Sequence, residues 1–106
     1  MTDPGEMRTQ VVYQRPVTTK DRLGQARQGW EDVFTCYAAV RPLSAREIYY
    51  AQSTKSEVNY RLAIRWREGV SPKGRFKLRD RVFDIYSVLN VDELNHELVI
   101  LAVEAN

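Results

Sequence analysis

The chain has 106 residues, of which 43% are hydrophobic, and its formal net charge is +2. A chain of this length is expected to form one compact domain over residues 1–106 and to bury about 65% of the surface that the unfolded chain exposes. No apolar run approaches the roughly 20 residues of a membrane helix, and the N-terminal residues lack the basic and apolar regions of a signal peptide. We therefore expect a soluble protein that is made in the cytoplasm and has no membrane partner.

A two-residue period, which is typical of half-buried strands, dominates the chain. It predicts strands at residues 8–15 and 32–41, and the polar residues 17–29 between them suggest a long β-hairpin with a mobile tip. The single cysteine, Cys36, lies inside the second of these strands, so we expect it to act as a buried small hydrophobe.

One segment departs from the strand pattern. Ser44 and Glu47 form a capping-box pair, in which each side chain can satisfy a free amide at a helix start, and Pro42 is tolerated just before such a boundary. The apolar spacing that follows predicts a helix from Ala45 to about Ser53. A helix this short is marginal alone, so it must pack on the barrel or on a neighbouring subunit. The polar residues 52–57 after it are expected to be flexible.

The remaining strands lie in the second half of the chain. Residues 58–66 alternate most clearly, 75–79 form a short strand, and 82–89 and 97–103 form an antiparallel pair across the turn at 90–96. Six short strands and one short helix indicate a compact, mainly β domain, either a barrel or a sandwich.

Charge is distributed unevenly along the second half of the chain. Residues 61–81, here called the basic segment, carry eight bases and two acids, whereas residues 82–106, the acidic segment, carry five acids and no base. The charges could pair between strands of one subunit, with Asp84 among the acids, or could meet across a head-to-tail interface. A DNA channel lined by the bases is the third alternative and ranks lowest. The basic surface comprises Arg61, Arg65, Arg67, Lys73, Arg75, Lys77, Arg79 and Arg81, and the acidic surface comprises Asp92, Glu93, Glu97 and Glu104.

Five short motifs, in order, carry a resemblance to a known family. They are Gln14-Arg15-Pro16, Trp30-Glu31-Asp32-Val33, Arg41-Pro42-Leu43-Ser44, Arg61-Leu62-Ala63-Ile64-Arg65 and Arg81-Val82-Phe83-Asp84-Ile85. The ordered set, from about Arg8 to Glu104, resembles the phage head-tail joining family, also called head completion or stopper proteins. That family commonly has a glycine where this chain has Asp80.

The resemblance implies a small six-stranded antiparallel β-barrel with one short helix and long loops. It also implies a structural protein of the virion head-tail interface that forms a ring between the portal-adaptor ring of a filled head and a tail terminator or tail-completion protein. Such a ring closes the DNA exit channel, contacts double-stranded DNA non-specifically and offers a docking surface to the tail. We expect the free protein to be a monomer, because no exposed apolar stripe is evident.

In stopper proteins the connection between the second and third strands can project into the channel and gate it. Here that connection is residues 43–56, and the alternative is a helix held on the barrel by its tyrosines. The channel-gating candidates are Ser44, Arg46, Glu47, Tyr49, Tyr50, Gln52 and Lys55.

Two other function classes are weaker. An enzyme lacks support, since His96 is the only histidine and lies in a predicted turn, and neither a metal cluster nor a phosphate loop nor a nucleophile elbow is present. The family has no catalytic residues, and we expect neither a metal nor a cofactor. A small nucleic-acid-binding β-barrel is the alternative, but alternation should turn Tyr60 and Trp66 into the core, which removes a base-stacking platform.

Overall fold

The structure is a computed structural model that describes residues 4–52 and 58–104. Its six strands close into a barrel in which every neighbouring pair is antiparallel, in the order β1-β2-β3-β6-β5-β4. The predicted barrel, with its six strands and one short helix, is confirmed. The elements are β1 (Thr9–Lys20), β2 (Ala26–Pro42), α1 (Ala45–Gln52), β3 (Tyr60–Arg65), β4 (Arg75–Leu78), β5 (Arg81–Asn90) and β6 (Glu97–Glu104), with 3-10 turns at Pro4–Glu6 and Val91–Glu93.

The core fills the barrel with aliphatic and aromatic side chains from all six strands. Phe83 and Ile85 of β5 are 0% and 8% exposed, as the alternation in that strand predicts. Tyr60 packs edge-on against Phe83, with ring centroids 5.1 Å apart. The buried core cluster comprises Val11, Tyr13, Ala38, Leu62, Ile64, Phe76, Phe83, Ile85, Leu98, Ile100 and Ala102.

The β1–β2 hairpin is longer than predicted. The two strands pair from Thr9 opposite Ala38 to Lys20 opposite Ala26, with a register shift between Tyr13 and Gln14, whereas β4 joins β1 only over residues 12–14. Residues 15–31 therefore form a two-stranded ribbon beyond the barrel, here called the arm. Its side chains are mostly exposed, which is why the core-facing alternation stops there and the predicted strands ended at residue 15 and began again at residue 32.

Hydrogen bonds define the tip of the arm. One carboxylate oxygen of Asp21 accepts bonds from the backbone amides of Leu23 and Gln25, each at 2.9 Å. Gly24 adopts a φ of +79°, a left-handed conformation that glycine tolerates better than other residues. The tip is thus a turn with a specific hydrogen-bonding pattern.

The two ends of the barrel differ. The arm, the β3–β4 loop and the β5–β6 turn lie at one end, here called the arm end. Residues 43–52, which include α1, and residues 58–59 lie at the other, the helix end, together with the turn at Arg79 and Asp80. In that turn Arg79, and not Asp80, adopts a positive φ, of 54°. No helix within residues 4–52 and 58–104 has the length and hydropathy to cross a membrane.

Candidate assembly surfaces

The antiparallel register brings the basic and acidic segments together. Arg65 in β3 is the cross-strand neighbour of Glu97 in β6, at the arm end. Arg81 at the start of β5 forms an ion pair with Glu104 at the end of β6, at the helix end. Basic and acidic residues that are separated along the sequence therefore lie side by side in the fold at these positions.

The Arg81–Glu104 pair is two-pronged. The Nε atom of Arg81 donates to Glu104 at 2.6 Å and a terminal nitrogen donates at 3.1 Å. This hydrogen bonding lowers the pKa of Glu104 and raises that of Arg81. The guanidinium carbon of Arg81 also lies 5.3 Å from the ring centroid of Tyr60. For these two residues, pairing within one subunit is the arrangement observed.

Two further arginines lie over aromatic rings. The guanidinium carbon of Arg67 is 3.8 Å from the ring centroid of Phe34, and that of Arg75 is 4.2 Å from the centroid of Trp30. Arg75 also donates to the side-chain oxygen of Gln14 at 2.8 Å. Such cation–π contacts occupy ring faces that a nucleobase would otherwise stack on.

The expected position of the β3 aromatics is confirmed. Tyr60 and Trp66 are partly buried and pack against the core cluster, so neither forms an exposed stacking platform. Neither residue therefore supplies the base-stacking surface that a single-strand binder would use.

A basic groove lies on the outer surface of β1 and β4, towards the helix end. It has a volume of about 910 Å³ and its lining includes Lys77, Arg79 and Arg81 from the basic segment. Arg8, which the sequence reasoning did not select, supplies a fourth cation, and Asp80 is the acid in the lining. The groove can accommodate an anionic group or an acidic segment of a partner.

The predicted acidic surface is divided. Asp92 and Glu93 are exposed in the β5–β6 turn, where both have left-handed φ values of 53° and 55°. Glu97 is only 2% exposed, so in the free subunit it is a buried side chain and not part of an open surface. Glu104 is engaged by Arg81 at the opposite end of β6.

The capping box of α1 is confirmed. The backbone amide of Glu47 donates to the Ser44 hydroxyl at 3.2 Å, and the amide of Ser44 donates to the Glu47 carboxylate at 3.2 Å. The bond that the Ser44 amide donates to the carboxylate lowers the pKa of Glu47. The helix start is thus stabilised by its own residues.

The α1 side chains that the structure describes, at residues 45–47 and 49, are exposed. Tyr49 is 73% exposed and does not cover the core, and Arg46 is exposed as well. Tyr50 and Gln52 lie within the helix. Lys55 and most of the polar run at 52–57 lie outside the described residues.

The base of this connection is fixed. The amide of Leu43 donates to the carbonyl of Asn59 at 3.0 Å, so the chain leaves and re-enters the barrel at one point. Leu43 and Val58 beside that bond are 8% and 3% exposed. The amide of Glu104 donates to the Asn59 side chain at 2.9 Å, which ties the base to β6.

His96, Asp84 and Cys36 are the side chains most relevant to a catalytic role. His96 is exposed in the β5–β6 turn. Asp84 is the cross-strand neighbour of Arg75. The Arg75 guanidinium donates to Gln14 and lies over Trp30. Cys36 is half-buried, and burial raises the pKa of its thiol, which disfavours the reactive thiolate. Residues 4–52 and 58–104 contain no cluster of three or more metal-ligating side chains.

The arm is the surface that sequence reasoning missed. Leu23 at its tip is 83% exposed, and Trp30 and Val33 near its base are 40% and 47% exposed. The β-branched run Val17-Thr18-Thr19 is the signal that favoured strand over loop there.

Comparison with known proteins settles the family. A family model described as phage head completion protein matches residues 2–105. The chain belongs to this family. It is therefore a structural protein of virion assembly, associated with the phage head and with other head or tail components. Membership of a structural family also favours a non-enzymatic role.

Solved structures agree with the head completion fold. The protein SF1141 from Shigella flexneri 2a, determined in solution, has a TM-score of 0.80 and 27% identity, over 98% of this chain and 97% of that one. A chain from the virion of a native gene transfer agent particle has a TM-score of 0.58 and 19% identity, over 88% of this chain and 89% of that one. No curated protein sequence matches.

Proposed function

We propose that this head completion protein forms a ring on the portal-adaptor vertex of the filled head, closes the DNA exit channel after packaging, and presents a docking surface to the tail. Its partners in this role are the adaptor ring, a tail terminator or tail-completion protein, and the packaged double-stranded DNA, which it contacts without sequence preference. The head-tail interface is its proposed location in the virion, after synthesis in the cytoplasm of the bacterial host.

The connection between β2 and β3 carries the proposal. It has a base held by the Leu43–Asn59 hydrogen bond and a helix that caps itself through Ser44 and Glu47. The side chains described on that helix are exposed. Segments with few buried contacts are those that move at low free-energy cost. A self-capped helix on a fixed base is suited to projecting into a channel in one state and withdrawing in another.

The side chains on this connection suit contact with a sliding duplex. Arg46 and Tyr49 are exposed, and the helix lacks the dense cationic surface that would hold phosphates tightly. A gate has to block DNA without binding it strongly, and this composition meets that requirement.

Shortening the connection tests the proposal. Deletion of residues 52–56 shortens the connection and leaves its base at Leu43 and Asn59 intact. Particles that carry the deletion should incorporate normal amounts of the protein and lose packaged DNA, measured as DNA protected from nuclease per particle. The matched control replaces the same five residues by Gly and Ser, which preserves length and should retain DNA. Full DNA retention by the deletion variant, with the protein present, would rule out the gating role.

The same protein should behave as a monomer before assembly. Light scattering at micromolar concentration is expected to give the mass of one chain, and a stable ring in the isolated protein would contradict this. A nucleic-acid-binding barrel would instead show duplex affinity that falls over several decades as salt rises, whereas the connector should barely bind at any salt concentration.

A further inference from the structure

Most of the arm is exposed in its own subunit, apart from Trp30 near its base, over which Arg75 lies. Beyond residue 14 its strands pair only with each other among the described residues, and its side chains are mostly exposed. An isolated two-stranded ribbon is marginally stable in water, and such a ribbon gains most from packing against another surface. The arm is thus a protruding element that is suited to contacting a neighbour.

The tip of the arm presents a cationic and apolar surface. The arm carries four bases and two acids, and both acids are used internally, Asp21 by Arg27 and the tip amides and Glu31 by Arg15. Neither Lys20 nor Arg22 has an acid within ion-pair distance in the described part of the chain. Leu23 beside them is 83% exposed. A partner surface should therefore offer acids around an apolar contact.

The β5–β6 turn offers that combination. Leu89 and Leu94 are 60% and 59% exposed, and Asp92 and Glu93 lie between them in sequence without an ion-pair partner among residues 4–52 and 58–104. We call residues 89–94 the acidic corner.

The acidic corner has a fixed shape. The side-chain amide of Asn90 donates to the Asn95 side chain at 2.7 Å, and the Asn95 backbone amide donates to Asn90 at 3.1 Å. Both bonds close the turn across its base. Together with the bonded tip of the arm, this gives two preorganised surfaces, which reduces the entropy lost on association.

The two surfaces lie on opposite sides of one barrel. In the closed order β1-β2-β3-β6-β5-β4, β1 is three places from β6 and β2 is three places from β5, so the arm lies opposite the β5–β6 pair whose turn forms the acidic corner. Both surfaces lie at the arm end. Two different, complementary patches on opposite sides define a heterologous contact, which repeats from copy to copy and closes into a ring if the rotation fits.

We propose that the arm of one copy binds the acidic corner of the next copy around the ring, with Leu23 packing against Leu89 and Leu94 and with Lys20 and Arg22 facing Asp92 and Glu93. This inference rests on the proposed ring and specifies the contact between its subunits.

Cysteine cross-linking in assembled particles tests the contact. In a Cys36→Ser background, Leu23→Cys combined with Leu94→Cys should give a covalent ladder of dimers, trimers and larger species upon oxidation. Each single cysteine variant should remain monomeric. A dimer formed by the Leu23→Cys variant alone would mean that the tips of two arms contact each other. A cross-link from the Leu23→Cys variant to a different head or tail protein would mean that the arm binds another partner. Either result overturns the proposal.

Charge exchange provides an independent readout. Lys20→Glu with Arg22→Glu should lower incorporation into particles at least 10-fold, and adding Asp92→Lys with Glu93→Lys should restore it. The matched control, Thr18→Glu with Gln28→Glu, adds two acids to the shaft of the arm and should have little effect. Normal incorporation of the tip variant would overturn the arm contact while leaving the connector role standing. Absence of the unmodified protein from particles would instead refute the proposed function.

Discussion

A methyl group at position 74 should destabilise the barrel strongly. A Cβ atom built on Gly74 would lie 2.6 Å from Cε1 and 2.7 Å from Oη of Tyr13, and 2.7 Å from the carbonyl oxygen of Gln14. Tyr13 is 2% exposed and its hydroxyl accepts a hydrogen bond from the Ser71 amide at 2.9 Å. Overpacking costs about 1–3 kcal/mol and loss of that bond about 1 kcal/mol more, so we expect Gly74→Ala to lower the free energy of unfolding by about 2–4 kcal/mol.

For a domain of this size, that loss corresponds to a fall in Tm of about 10–20 °C. The assay is reversible thermal or urea unfolding followed by circular dichroism. Gly29→Ala is the control, because its added Cβ would meet only Val17 at 4.0 Å and its backbone is not left-handed. That variant should remain within about 0.5 kcal/mol of the parent. Equal stability of the two variants would show that Tyr13 does not pack against position 74 as closely as the structure indicates.

The remaining predictions concern the turn, the helix cap and pH. Arg79→Gly should stabilise the fold by about 0.5–1 kcal/mol, because Arg79 holds a φ of 54°, and denaturant unfolding should show no such gain for Asp80→Gly. Ser44→Ala should weaken α1 by about 1 kcal/mol, seen as faster amide exchange in the helix, while the global unfolding midpoint stays constant; a shifted midpoint would mean that the helix is part of the cooperative core. The bond from Arg81 lowers the pKa of Glu104 in the folded protein. The ion pair therefore stabilises the fold fully above the unfolded-state pKa of Glu104, and this stabilisation is lost as pH falls through the lower folded-state pKa. Arg81→Gln should therefore reduce the loss of stability in acid at low salt, and an unchanged acid profile would count against the pair.

Much of the barrel follows from the sequence because the core imposes a period of two. Residues 82–89 and 97–103 correspond closely to β5 and β6, and the Ser44–Glu47 pair marks the start of the helix. These signals are local, so a single sequence carries them.

The arm and the spatial distribution of charge could not be predicted from the sequence alone. Residues 17–29 lack a core-facing alternation because no core lies beneath them, and their strand pairing is visible only in the register. Burial of Glu97 and the stacking of Arg67 over Phe34 depend on neighbours distant in sequence. The linear separation of the basic and acidic segments therefore suggested more exposed, segregated charge than the fold contains.

Electron microscopy of particles made without this protein tests the central claim most directly. Our account predicts heads that fill with DNA, lack tails and leak their contents, with restoration by the intact gene. Normal tailed virions in its absence would contradict the connector role.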